Sequence, residues 1–394
     1  PGGRPGLAIS GNDTALSCGC WRLPLSGLQA GHVYRIEGMF QTEGVGAPGK
    51  SVRAILTFER GGTEQFYDHL DAMGAQAGWQ RVGCVLEVSE AIPELTLNLF
   101  LAWSASGQVF WGDIRLYDLT GKHDGERTVK LAAISGNPEK PKAPVDCLDF
   151  YTDRLDTLAG EHVDLVCLPE LINSTGLAGD SAGWAEPIPG PTSERLAEKA
   201  RDYGMYVAAS LLEQQGDGVY NTGLLIDRTG GILGKYRKTH VTLAEGLLRG
   251  TAPGDVYPVF RMDFGSVGYM ICYDGPYPEV PRMLVLQGAE VILHSNMGDG
   301  REGGSLWESV VRTRAVDNQV HLVAAMNRGK TCIVSPKGEF LAEGDGTPGT
   351  VVVANCDLNV SMCDFSKRPI HRRYDQLRRA DTFGELTRHL WDGV

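Results

Sequence analysis

Three apolar stretches of this chain each stop abruptly on a side chain able to do chemistry. "VDLVCLPEL" ends with Glu170, "GKYRKTH" carries Lys238, and "VGYMICYDGPYPE" breaks at Cys272 into Tyr-Asp-Gly-Pro. Four to six apolar residues bounded by turn formers describe a buried strand, and a side chain at its end stands at the rim of a sheet. Open α/β sheets hold their ligands at that rim. A thiol is mostly protonated at neutral pH. A neighbouring carboxylate can take its proton while a lysine favours the thiolate. The combination therefore suits nucleophilic attack on a carbonyl or related carbon.

Taken singly, each residue has a plainer reading. Free cysteine is among the most buried residue types, so Cys272 alone reads as core. Glu170 alone reads as a helix N-cap or surface carboxylate, and Lys238 as a solvated charge in a run with Lys235 and Arg237. A second motif matches by letter and fails by context. Residues 44–51, "GVGAPGKS", fit the phosphate-loop pattern, which requires a strand before it and a helix after it. Here "VRAILTFER" follows and alternates as a strand, and Pro48 lacks one of the N–H groups the motif uses. The segment reads as a hairpin loop. There is no HExxH, no Gly-x-Ser-x-Gly elbow and no four-ligand zinc spacing, so neither a metal nor any other cofactor is expected.

The elements that must position the three residues fall into two rhythms. Up to about Leu119 the chain keeps a period of two: Val52, Ala54, Leu56 and Phe58, then Val82, Cys84, Leu86 and Val88, then Leu95, Leu97, Leu99 and Leu101. Short alternating strands between Gly-rich turns predict an all-β sandwich with no helix. After the polar "TGKHDGER", strands alternate with helices, which predicts an α/β domain. Its helices include "VDCLDFYTDRLDTLAG", "SERLAEKARDYG" with a Ser N-cap and a closing Gly, "YPEVPRMLVLQG" and "SLWESVVRTRAVDNQ". The expected domains are 1–121 and 128–375. The stretch after Cys363, "SKRPIHRRYDQLRRADTFGELTRHLW", is basic and aromatic, and the tail at 376–394 is expected to pack on the domain or on a partner subunit.

Composition narrows the classes. Hydrophobic residues at 42% and charged residues at 22% are ordinary for a globular protein. A formal charge of −12 argues against nucleic acid and anionic membranes as partners. No apolar run approaches the roughly 18 residues of a membrane span. No signal peptide is visible at the start, so a cytoplasmic location is expected, with a removed leader and a periplasmic location left open. Nine cysteines, an odd number without Cys-x-x-Cys, fit a reduced compartment. Sequons at Asn12, Asn173 and Asn359 carry little weight.

Four blocks, "LPELI", "GKYRKTHVTLAEG", "GYMICYDGPYPE" and "RTRAVDNQVHLVAAMNRG", stand in an order and at separations that resemble the signature of the nitrilase superfamily, the carbon–nitrogen hydrolases. The resemblance covers roughly residues 128–375. It implies an α-β-β-α sandwich in which Glu170 is the general base, Lys238 the oxyanion-stabilising cation and Cys272 the nucleophile. Tyr273 would add its backbone N–H to the oxyanion site. Glu245 matches a second glutamate that orients Lys238 or the substrate; its plainer reading is a surface charge on a turn. Sequences acting on true nitriles carry Trp then Glu after the nucleophile. Here Tyr273 and Asp274 follow, which resembles the amidase and carbamoylase branches. A linear amide is the expected small-molecule substrate, with N-carbamoyl compounds and nitriles behind it, and transfer to an amine instead of water stays open. A homo-oligomer is the family's common state.

The Gly-rich loop from His294 to Gly304 suits a pocket wall, with Asn296 as candidate polar contact and Trp307 as apolar wall or plain core. In the first half, "GQVFWGDIRLYDL" resembles the ending of jelly-roll, carbohydrate-binding-like domains. Trp21, Trp79, Trp103 and Trp111 lie there, as a glycan platform or as sandwich core. A glycan-binding module with a vestigial hydrolase is the alternative of another class. A two-carboxylate glycosidase is a further one, and it would have no use for Cys272.

Overall fold

A computed structural model describes residues 6–14, 16–88, 94–121, 127–178, 181–298, 305–359, 378–379 and 382–387. The chain divides into two compact units. One is Pro1–Gly125 with Gln376–Val394, the other Glu126–Asp375.

The first unit is built from β1 (Gly6–Ser10), β2 (Cys18–Leu25), β3 (Val33–Glu43), β4 (Val52–Arg60), β5 (Thr63–His69), β6 (Asp71–Gln76), β7 (Trp79–Glu87), β8 (Leu95–Ala102) and β9 (Gln108–Asp118). They form an antiparallel sheet of order β1-β9-β3-β7-β6 and another of order β2-β8-β4-β5. The predicted alternation is what faces them together. Ile36, Val82 and Trp111 of one sheet meet Leu56, Leu97 and Leu99 of the other in a common core. The absence of helix was nearly right: one turn, α1 (Pro48–Ser51), precedes β4. It follows β3 and a four-residue loop, but it is a single turn that runs straight into β4, too short for the helix a phosphate loop requires, and β3 and β4 lie in different sheets, so the segment is not the expected hairpin loop. Of the tryptophans, Trp111 is core, whereas Trp21 and Trp103 are exposed.

The second unit contains β10 (Thr128–Ile134), α2 (Pro144–Asp156), β11 (Leu165–Cys167), α3 (Pro191–Tyr203), β12 (Tyr206–Gln215), β13 (Gly218–Ile226), β14 (Ile232–Arg237) and β15 (Thr251–Ala252). It continues with β16 (Val259–Arg261), β17 (Ser266–Ile271), α4 (Glu279–Leu286), β18 (Val291–Asn296), α5 (Ser305–Asn318), β19 (His321–Met326), β20 (Cys332–Val334), β21 (Phe340–Glu343) and β22 (Val351–Asp357). One sheet runs β14-β13-β12-β11-β10-β22 with β15 beside β13; the other runs β16-β17-β18-β19-β20-β21.

β11 and β17–β19 are parallel strands buried on both faces, which is why they read as unbroken apolar runs. Leu131, Cys167 and Ala208 of one sheet pack on Tyr269, Leu293 and Val323 of the other. The outer faces are covered by α2 and α3 on one side and by α4 and α5 on the other. The result is the α-β-β-α sandwich.

α3 corrects one expectation. Its N-cap is Gly190 with Pro191 at the first turn, and Ser193 lies inside the helix, where its hydroxyl accepts the Gly190 N–H at 2.8 Å. Proline at that position has φ already set for a helix and lacks an N–H that would go unused, so the start moves upstream of the serine. Gly204 closes the helix in the left-handed region, φ 61°.

Candidate active site

Glu170, Lys238 and Cys272 all sit just past the carboxyl ends of strands, β11, β14 and β17 respectively. Glu170 is 2% and Lys238 1% exposed, so neither is a surface charge. The Lys238 ammonium lies between two carboxylates. It donates to Glu170 Oε1 at 2.9 Å and to Glu245 Oε1 and Oε2 at 2.9 and 2.8 Å. Glu245 reaches it from a π-helical turn, Ala244–Leu248, of which it is the buried residue, and its Oε2 also accepts the Thr242 N–H at 2.9 Å. Burial opposes the lysine's charge, but the charges of Glu170, Cys272 and Glu245 outweigh it and hold the Lys238 pKa above its usual value. Burial likewise opposes the Glu245 charge, and Lys238 outweighs it, so that pKa is lowered.

Asn221 was not foreseen. Buried in the middle of β13, it donates to Glu170 Oε1 at 2.8 Å and to Glu245 Oε1 at 3.1 Å, while its Oδ1 accepts from Ser210 Oγ at 2.8 Å. One amide thus fixes both carboxylates around the lysine. The signal was available: "VYNTGLLI" sets the polar pair Asn221 and Thr222 in a largely buried strand, where both must find partners.

Cys272 opens a short 3₁₀ turn, Cys272–Asp274, with φ 42°, a left-handed backbone that costs energy for a residue with a Cβ. The Glu170 carboxylate and the Met297 N–H both lie close enough to the sulfur to act on its titration. Burial, then the Glu170 charge, push the thiol pKa well up, against the weaker pull of Lys238 and Met297. A thiol raised in this way keeps its proton until a base takes it, and the Glu170 carboxylate is the nearby base.

The end of β18 wraps the same cysteine. His294 Nε2 lies 3.1 Å from the Cys272 carbonyl oxygen and 3.3 Å from Asn296 Nδ2. Burial holds the His294 pKa down to about 4, so the ring is neutral near neutral pH. Asn296 is buried, and its Oδ1 accepts the Gly298 N–H at 2.8 Å, a local turn that presents Met297 to the sulfur. Gly298 is required there: φ is 71°, and a Cβ would stand 1.7 Å from the Arg328 carbonyl oxygen. Trp307 is partly buried on the α4–α5 side and meets His294 edge-on at 5.8 Å. Tyr273 follows the nucleophile; its ring is 39% exposed and edge-on to Tyr277. The remainder of the expected pocket wall, 299–304, lies outside the described residues.

Two polar bridges join the sheets near Glu170. Asn327, past β19, donates to the Glu170 carbonyl at 2.6 Å, and Ser295 Oγ donates to the Leu168 carbonyl at 2.5 Å while receiving the Tyr269 hydroxyl at 2.6 Å. Among the described residues no group of three or more His, Cys, Asp or Glu is arranged to hold a metal ion. No helix among them is long and apolar enough to cross a membrane.

Comparison with known proteins gives consistent relatives. The family model for carbon-nitrogen hydrolases matches residues 128–361, more than half of the chain. Omega-amidase NIT2 of Xenopus tropicalis is 31% identical over 243 residues, 57% of this chain and 86% of that one. The human omega-amidase NIT2 is 30% identical over 51% of this chain and 79% of that one. A protein named nitrilase from Pyrococcus abyssi is 36% identical over 58% of this chain and 90% of that one. Among solved structures, a mutant of the Nesterenkonia AN1 amidase superposes with TM-score 0.55 at 23% identity, covering 66% of this chain and 97% of that one. Saccharomyces cerevisiae Nit3 superposes with TM-score 0.51 at 22% identity, covering 58% and 90%.

Proposed function

This chain belongs to the carbon-nitrogen hydrolase family, and from that premise we propose that it hydrolyses a linear amide through a thioester on Cys272. The observation that carries the reading is the convergence of the Cys272 thiol, a carboxylate beside it and a lysine held between two carboxylates, with Glu170, Lys238 and Glu245 buried and Cys272 partly exposed. The omega-amidases among its relatives favour an amide over a nitrile.

In the proposed sequence Glu170 takes the Cys272 proton as the sulfur attacks the amide carbon, so the thiolate forms only when it is used. Negative charge moves to the carbonyl oxygen, where the Lys238 ammonium and the Tyr273 backbone N–H stabilise it. Collapse breaks the C–N bond, and Glu170 passes its proton to the departing ammonia or amine. Water then gives a proton to Glu170 and attacks the thioester. The acid leaves, and the proton returns to sulfur. The base must face the thiol while the cation faces the oxyanion. Asn221 and Glu245 serve that division by holding Glu170 and Lys238 apart in role though they touch.

The test is ammonia release across a panel of linear amides, N-carbamoyl amino acids and nitriles, with Cys272→Ala alongside. Turnover of an amide that disappears in the variant is expected. Turnover that survives the substitution sinks the reading, and turnover confined to nitriles or carbamoyl compounds moves it to another branch.

A further inference from the structure

The base and the cation come from one sheet and the nucleophile from the other, and among the described residues no backbone ladder joins the two sheets. Their separation at Lys238 and Cys272 must be set by side chains. We propose that Asp274 is a positioning residue that fixes the Cys272 sulfur relative to Lys238 by tying the end of β17 to the end of β14. The proposal rests on the reading of Cys272 as nucleophile.

Asp274 is fully buried. Its Oδ2 accepts the Ile271 N–H at 2.9 Å, from the residue before the nucleophile, and the Tyr236 hydroxyl at 2.7 Å. Its Oδ1 accepts the His240 N–H at 3.0 Å and the Thr239 hydroxyl at 3.1 Å, with His240 Nδ1 at 3.2 Å. Tyr236 and His240 stand two residues either side of Lys238. One carboxylate therefore grips the lysine-bearing segment on both flanks, and at the same time closes the turn that forces Cys272 to φ 42°. The His240 ring stacks on Tyr277 at 3.9 Å, which extends the grip past that turn.

Chemistry explains why a carboxylate is needed. Two N–H groups and two hydroxyls converge on two oxygens, and only a group that accepts at both can satisfy them. An asparagine in either orientation turns its NH₂ against an N–H donor, Ile271 on one side or His240 on the other. A buried donor left without an acceptor is costly, so the turn must shift to relieve it. The sulfur then leaves the Met297 N–H and Glu170, and a displacement of about 1 Å at a reacting atom can cost on the order of a hundredfold in rate.

The experiment is Asp274→Asn on the full chain, with three readouts. These are circular dichroism and thermal melting, the rate at which iodoacetamide labels the Cys272-containing peptide by mass spectrometry, and kcat and KM on an amide the native protein turns over. Expected is a folded variant in which labelling slows at least tenfold and kcat falls at least tenfold, with KM within threefold. A folded variant whose labelling rate and kcat stay within twofold of native overturns the proposal. Should Asp274→Asn not fold, Tyr236→Phe and Thr239→Val each delete a single donor. A graded loss of labelling and kcat supports the proposal, and no loss in either overturns it. The labelling rate needs no substrate. A native protein without amide turnover would therefore count against the proposed activity and leave the role of Asp274 still decided by labelling.

Discussion

Replacing Glu245 by Gln separates a residue that works on Lys238 from a charge that merely decorates a turn. The native carboxylate gives the ammonium two acceptor atoms, at 2.8 and 2.9 Å, and takes the Thr242 N–H besides. Gln keeps the length but has one acceptor and no charge. If its oxygen stays on Lys238, its NH₂ opposes the Thr242 N–H; if the amide turns over, the lysine faces NH₂. Hydrogen bonds to charged groups are worth about 1.5–3 kcal/mol, so losing the ion pair and one of its two acceptor atoms weakens the hold on Lys238 by roughly 1–2 kcal/mol. The ammonium then leans toward Glu170 Oε1, away from the position where it meets the oxyanion. As that interaction is made in the transition state, the loss belongs in kcat, about 5- to 30-fold, with KM within threefold. Steady-state ammonia release measures both constants, and a thermal melt checks the fold. A kcat within twofold of native, or a change confined to KM, would refute the assignment of Glu245 to Lys238.

Other consequences follow from the same contacts. His294 and His321 are both held to about pH 4 by burial, from an ordinary 6.5. Above pH 6.5 neither form of the chain protonates them. As pH falls from 6.5 towards 4 the unfolded chain binds protons the folded one refuses, which removes up to about 3 kcal/mol of stability per histidine. Urea midpoints should therefore drop steadily between pH 6.5 and 4.5, and a flat profile across that window counts against both burials. Gly298→Ala must move its loop away from the Arg328 carbonyl and take Met297 off the sulfur. Iodoacetamide labelling of Cys272 and kcat should each fall at least tenfold, and retention of both would show that the Met297 contact does nothing. Ser295→Ala leaves the buried Tyr269 hydroxyl and Leu168 carbonyl without each other's intermediary. Chemical denaturation should show a loss of about 2 kcal/mol.

The sequence showed where strands stop, and so it showed Glu170, Lys238 and Cys272. A buried parallel strand is apolar on both faces, and the first residue that breaks the run stands out. Asn221 stayed hidden because its strand continues apolar beyond it, so the interruption reads as tolerance and not as a site. Asp274 was legible only as a departure from the nitrile-type pattern; apart from the local Ile271 N–H, its contacts come from Tyr236, Thr239 and His240, which the chain brings close only by stacking two sheets. The helix start at Pro191 was missed because a serine inside the first turn resembles a cap at its edge.

The pairing of β10 with β22 has a consequence for how the second unit is made. β22 forms seven register pairs along β10, yet Val351 meets Ile134 across more than two hundred intervening residues. Until that last strand leaves the ribosome, β10 presents an unpaired edge next to an already hydrophobic sheet. Contacts so distant in sequence slow folding, and open strand edges invite intermolecular pairing. A chain ending before Val351 would keep Glu170, Lys238 and Cys272 and still be expected to aggregate during synthesis. Its chemistry waits on a strand that contributes no reactive group.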